Sequence, residues 1–116
     1  MRHAKKGKKL GREKAPRKAL LNNLATSLIL YEKIVTTEAK AKALRPFVEK
    51  LITRSKIKSI HNKQILNKTL KDKKAVQKIL DVLGPKYKER KGGYTRIIKI
   101  KRRLGDGALE AQIELV

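Results

Sequence analysis

Arg90-Lys91-Gly92-Gly93-Tyr94-Thr95-Arg96 runs straight into Ile97-Ile98-Lys99-Ile100. The paired glycines allow positive φ and a close backbone approach, so they predict a tight turn. The β-branched run behind them predicts a strand that starts at the turn. Successive N–H groups in such a turn can form a concave anion site. Arg90 and Arg96 add planar forks of donors that match phosphate. Tyr94 supplies a ring that is expected to stack on a base or sugar.

A second strand pattern follows. In Ala108–Leu115, Ala111, Ile113 and Leu115 alternate with Glu110, Gln112 and Glu114. Gly105-Asp106-Gly107 marks the turn between the two strands. Ile98 and Ile100 fall on one face of the first strand, Lys99 and Lys101 on the other, which suggests lysines lying beside the acids of the neighbour. Lys33-Ile34-Val35-Thr36-Thr37 is a third short β-branched segment. These segments near 33–37, 94–101 and 108–115 predict a small three-stranded sheet.

The rest reads as helix. Pro16 suits a first helical turn. Leu20, Leu21, Leu24, Ala25, Leu28 and Ile29 recur at three- and four-residue spacing, as one helical stripe does. Thr37 is an N-cap candidate, with Glu38 favoured by the helix dipole. Leu44, Phe47, Val48, Leu51 and Ile52 form the next stripe, which Pro46 crosses; a kink near Arg45-Pro46, or two abutting helices, is expected. A weaker helix spans Ser59–Leu70. Asp72 caps another, whose stripe is Ala75, Val76, Ile79, Leu80 and Leu83. Gly84-Pro85 reads as its end, glycine in the left-handed cap and proline as the stop. The fold class is α+β: several helices packed on one face of a small three-stranded sheet.

Charge sets the functional class. The 116 residues hold 32 Lys and Arg against 10 Asp and Glu, a formal net charge of +22. A compact body with that charge calls for a polyanion, with nucleic acid first and an anionic membrane surface second. The charge is blocked. Residues 1–18 carry nine basic residues against Glu13 alone, and residues 86–103 carry nine against Glu89 alone. Beyond Arg103 the sign reverses, with Asp106, Glu110 and Glu114 and no further Lys or Arg. Residues 1–14 contain little to bury and read as a basic N-terminal arm, loose until it meets its partner. Residues 15–116 read as a single domain. The candidate binding residues are Arg2, His3, Lys5, Lys6, Lys8, Lys9 and Arg12 in the arm, and Arg17 and Lys18 at its mouth. In the second block they are Arg90, Lys91, Gly92, Gly93, Tyr94, Arg96, Arg102 and Arg103.

Other classes find little support. The chain has no cysteine, hence no disulfide, thiolate zinc site or cysteine nucleophile. His61 is alone and reads as surface or packing. No Walker loop, HExxH motif or carboxylate cluster appears, so neither an enzyme, a cofactor nor a small-molecule substrate is indicated. No apolar run is long enough to span a bilayer, and no signal core follows the basic start. A membrane-active helix would need interfacial aromatics, and the chain has no Trp and one Phe.

Several blocks carry a resemblance. They are Met1-Arg2-His3 with Gly7, Leu10 and Arg12; Asn23-Leu24-Ala25-Thr26-Ser27-Leu28; and Ile34-Val35-Thr36-Thr37 with Lys40-Ala41-Lys42. Leu44-Arg45, Glu49-Lys50-Leu51-Ile52-Thr53, Leu83-Gly84-Pro85 and Gly92-Gly93-Tyr94-Thr95-Arg96-Ile97 complete the set. Together, end to end and in order, they closely resemble the bacterial large-subunit ribosomal protein L17 family. The heavy lysine load and Pro46 are the departures. The resemblance implies a structural protein of the large ribosomal subunit, cytoplasmic, that binds 23S ribosomal RNA and touches neighbouring large-subunit proteins. It also implies helices against a small sheet. A DNA-architectural protein is the alternative that shares the charge pattern; it would bind duplex DNA as well as folded RNA.

Overall fold

The computed structural model describes residues 14–116. The arm residues Arg2, His3, Lys5, Lys6, Lys8, Lys9 and Arg12 lie outside the described residues, and so does the expectation that the arm is loose. Lys14, assigned to the arm by sequence, already belongs to the first helix.

α1 (Lys14–Tyr31) holds Pro16 in its first turn, where backbone N–H groups have no helical partner to lose. Ala25, Leu28 and Ile29 are fully buried, with Leu21, Leu24 and Leu30 packed around them. The helix ends at Glu32, a left-handed residue (φ 66°) whose N–H reaches the Leu28 carbonyl at 2.7 Å. Lys78 Nζ donates to the Leu30 carbonyl at 3.0 Å and to Glu32 Oε2 at 3.1 Å. A cation there complements the negative end of the helix dipole.

β1 (Lys33–Thr37) passes directly into α2 (Glu38–Ser55). Thr37 ends the strand and caps the helix, its side chain accepting from the Lys40 N–H at 3.3 Å. α2 is one helix, not two. Pro46 lies on its exposed side, where water can satisfy the carbonyl that proline leaves without a donor. α3 (Ile60–Leu70) starts at Ser59, which accepts from the Asn62 N–H. Asp72 caps α4 (Lys73–Lys78), accepting from the N–H groups of Lys74 and Ala75 at 2.9 and 3.1 Å.

α4 does not stop where the sequence suggested. It continues through a π-helical stretch (Ile79–Leu83) into a last α turn (Gly84–Lys86). Gly84 is helical, with φ −55° and ψ −54°, so it is not a left-handed cap. Its glycine is needed for space. A Cβ at Gly84 would sit 2.6 Å from the Ser55 carbonyl oxygen at the end of α2.

β2 (Thr95–Arg102) and β3 (Leu109–Leu115) complete an antiparallel sheet in the order β1-β3-β2. The last strand is thus central. Ile34, Ile113 and Ile97 stand side by side, and Thr95 faces Leu115. This is the face the helices cover: Ala111 and Ile113 are fully buried, and α2 is the helix most in contact with β3. Register between β2 and β3 shifts at a bulge between Lys99 and Arg102.

The expected lysine–acid pairing is not what forms. On β2 it is Arg96, not Lys99 or Lys101, that stands opposite Glu114, at 3.1 Å between Nη2 and Oε2. Lys99 stands opposite Ala111 on the helix side, and Ile98 opposite Gln112 on the open side. Side-chain period fixes this outcome. Placing Thr95 and Ile97 in the core turns Arg96 and Ile98 outward.

Candidate RNA interface

The loop between the last helical turn and β2 is built outward from two tyrosines. Tyr87 and Tyr94 are both 2% exposed, their ring centroids 5.2 Å apart. Tyr87 Oη donates to the Val116 carbonyl at 2.6 Å, and the Val116 N–H donates to the Tyr94 carbonyl at 2.9 Å. Tyr94 Oη donates to the Arg90 carbonyl at 3.1 Å and accepts from Thr53 Oγ1 at 3.4 Å. Lys56 Nζ, at the end of α2, also donates to the Arg90 carbonyl and lies 4.7 Å from the centre of the Tyr94 ring. Tyr94 is therefore the internal post of the loop. Its ring offers no open face, and the expectation that it stacks on a base is overturned.

Outside that post, the turn has the character its sequence suggested. Gly92 (φ 97°) and Gly93 (φ 64°) are both left-handed, with nothing within 4 Å of where a Cβ would stand. Arg90 Nε donates to the Gly93 carbonyl at 3.2 Å, which braces the turn and leaves the guanidinium exposed. Lys88, Glu89 and Lys91 are exposed as well. Beside Gly92 opens a groove of about 570 Å³ between α2, the start of α3 and the loop, with Lys50, Thr53, Arg54 and Asn62 along it. Arg54 Nη1 donates to Asn62 Oδ1 at 3.1 Å, which fixes its position.

The other candidates fall elsewhere. Arg17 is half-buried and Lys18 exposed, both near the start of α1. Arg96 is on the open face of the sheet, engaged with Glu114, which it holds below the usual carboxylate range. Arg102 and Arg103 lie at the far end of β2. Arg102 Nη1 donates to the Gly107 carbonyl at 3.1 Å, and Arg103 forks onto Asp106, whose pKa falls to about 2 through that pairing and the Ala108 N–H. Eight residue steps of roughly 3.3 Å lead from Tyr94 to Arg102, a span of about 26 Å. The basic block that is continuous in sequence is thus two patches in space.

Sequence reading missed a third patch. Lys42 and Arg45 of α2 meet Lys99 of β2 beside Ile97. Glu38 pairs with Lys42 at 2.7 Å and Glu49 approaches Arg45 at 3.7 Å, so Lys99 is the cation there without a carboxylate partner among the described residues. The spacing Glu38, Lys42, Arg45, Glu49 marked one face of α2, but only the strand register shows that Lys99 joins it. Lys56 was missed too, because nothing local links it to a loop 34 residues further on.

Among the described residues there is no group of three metal-ligating side chains, and no helix is long and apolar enough to cross a membrane. The family model for ribosomal protein L17 matches residues 20–116. The chain belongs to the ribosomal protein L17 family. Curated relatives carry the match across the whole chain. It is 51% identical to the large ribosomal subunit protein bL17 of Gemmatimonas aurantiaca over 116 residues, all of this chain and 98% of that protein. Against the bL17 proteins of Sulfurihydrogenibium sp. and Akkermansia muciniphila identity is 52% and 51%, with all of this chain and 97% and 85% of theirs covered. Membership in the L17 family makes the chain a structural constituent of the large subunit of the cytoplasmic ribosome, not an enzyme.

Proposed function

We propose that the chain binds 23S ribosomal RNA through separated basic patches and so supports assembly of the large subunit and translation. The patches are the arm (Arg2 to Arg12), Arg17 and Lys18 on α1, the loop Arg90–Gly93, and the hairpin end with Arg102 and Arg103. The observation that carries this reading is the loop. Its two left-handed glycines are braced from inside by Tyr94 and Lys56, and Arg90 and Lys91 are exposed. A pre-formed turn that exposes Arg90 and Lys91 holds phosphate without ordering itself first. Arg96 is engaged with Glu114 on the open face of the sheet, and Tyr94 acts through the loop's shape. Patches about 26 Å apart touch different backbone segments of a folded RNA, so its shape supplies selectivity.

Titration of a 23S RNA fragment at several salt concentrations tests the proposal. Neutralising roughly 6–10 phosphates lowers affinity about 10³–10⁵-fold between 50 and 200 mM salt. A nearly flat dependence would sink it. Equal affinity for duplex DNA would favour the DNA-architectural alternative.

A further inference from the structure

Among the described residues no helix lies over the outer face of the sheet, and the chemistry of that face differs from the rest of the molecule. The strand register lays out two cross-strand rows there. Lys33, Glu114 and Arg96 form one, and Val35, Gln112 and Ile98 the other. The first row is internally paired: Arg96 bonds Glu114 at 3.1 Å, and Lys33 lies close enough to add its field to the same carboxylate. The second row is aliphatic at both ends, Val35 being 54% exposed and Ile98 43%. Ile100, where the register shifts, is 46% exposed. Opposite Thr37 stands Glu110, which makes no ion pair among the described residues, although the Arg103 guanidinium lies near enough to feel its charge.

Within these rows the charges offset one another: Lys33 and Arg96 against Glu114 and the neighbouring Glu110, in a chain whose net charge is +22. An RNA backbone brought against them would meet two carboxylates as well as two cations. Exposed aliphatic side chains beside a paired polar border are instead how protein interfaces are built. We infer that the outer face of the sheet, with Val35 and Ile98 flanking Gln112, docks a neighbouring protein of the large subunit that presents aliphatic side chains and a lysine or arginine to Glu110. A partner packed among the same phosphates must itself be cationic, which is the charge Glu110 complements. The inference rests on family membership and the sheet, not on the RNA patches.

Photo-crosslinking in assembled large subunits tests it. The probe is p-benzoylphenylalanine, placed at Ile98 in one variant and at Lys91 in another. Position 98 is expected to cross-link to a large-subunit protein, and position 91 to RNA. A cross-link from position 98 to RNA, to residues 1–13 of the same chain, or to a second copy overturns the docking surface; so does no product at 98 while 91 reacts. Failure at 91 alone counts against the RNA loop and leaves the sheet face standing. In a second measurement, Glu110→Lys competes with the unaltered chain for entry into subunits. It is expected to be under-represented about tenfold, while its affinity for the free RNA fragment does not fall. Equal representation overturns the inference.

Discussion

Gly84 lies so close to Ser55 that a Cβ atom on it would fall 2.6 Å from the Ser55 carbonyl oxygen. Ser55 is itself buried, with its Oγ donating to the Ile52 carbonyl at 2.6 Å. Neither backbone can retreat without disturbing the core. Alanine normally favours a helix over glycine by about 1 kcal/mol, but overpacking against a fixed backbone costs about 1–3 kcal/mol. Gly84→Ala is therefore expected to lower the melting temperature. A thermal melt showing a rise would mean that the end of α2 yields freely.

The two loop glycines should differ. Gly93, at φ 64°, lies in the part of the left-handed region that other residues visit, whereas Gly92, at φ 97°, lies beyond that part. Gly93→Ala is expected to cost about 1 kcal/mol and Gly92→Ala more, with open space ruling out a clash at either. Denaturant melts of the two variants decide the order.

Tyr94→Phe separates the post from the phosphate site. It removes the hydroxyl that holds the Arg90 carbonyl, a bond worth about 0.5–1.5 kcal/mol. The fold should survive. Amide exchange at residues 91–93 should accelerate, and RNA affinity should fall with no change in salt slope. A change in slope would show that the ring or hydroxyl stands in for a cation contact.

Lys91→Gln leaves the turn and its braces untouched. Stability is expected to stay within about ±0.5 kcal/mol. RNA affinity should weaken, with the salt slope reduced by about one unit. Arg96→Gln is expected to leave that slope unchanged, since Arg96 serves Glu114. Parallel titrations of the two variants compare them directly.

Asp106 titrates at about 2, below its ordinary value of 3.8, because Arg103 and the Ala108 N–H bond its ionised form. A depressed folded-state pKa gives stability that is present above the unfolded value and lost as pH falls through the folded one. The hairpin turn at residues 103–108 should therefore loosen between about pH 4 and pH 2. Carbon-detected NMR titration of the Asp106 carboxyl would show it, and a midpoint near 3.8 would mean that the Arg103 fork is not held in solution.

Local signals carried the element boundaries well. Thr37 and Asp72 each cap the helix their sequence announced, since a cap is a contact between residues two or three apart; Ser59, read as the first residue of its helix, is the cap before it. Non-local facts escaped. Gly84-Pro85 looks like a stop until Ser55, far back in the chain, is known to press against it. Which face of β2 turns inward depends on Thr95 bonding to Glu49 Oε2 at 2.9 Å, and on register with β3. The glycine turn was legible at the candidate site for the same reason as the caps. The role of Tyr94 was not, because an aromatic beside cations has the same sequence signature whether it faces a base or the core.

The strand order β1-β3-β2 also bears on synthesis. The two outer strands never touch each other's edges; each finds its partner only in β3, which follows both in the chain. Backbone bonds from Leu115 to Glu32 and from Val116 to Tyr94 tie the end of β3 to both sides of the sheet. During translation the helices can gather as they emerge, but β1 and β2 must wait, with their backbone groups hydrated, until Leu115 is free. Sheet closure is therefore a late and non-local event, of the kind that slows folding. A chain released before β3 would keep its basic helices and have no sheet to hold the Gly92-Gly93 turn in place.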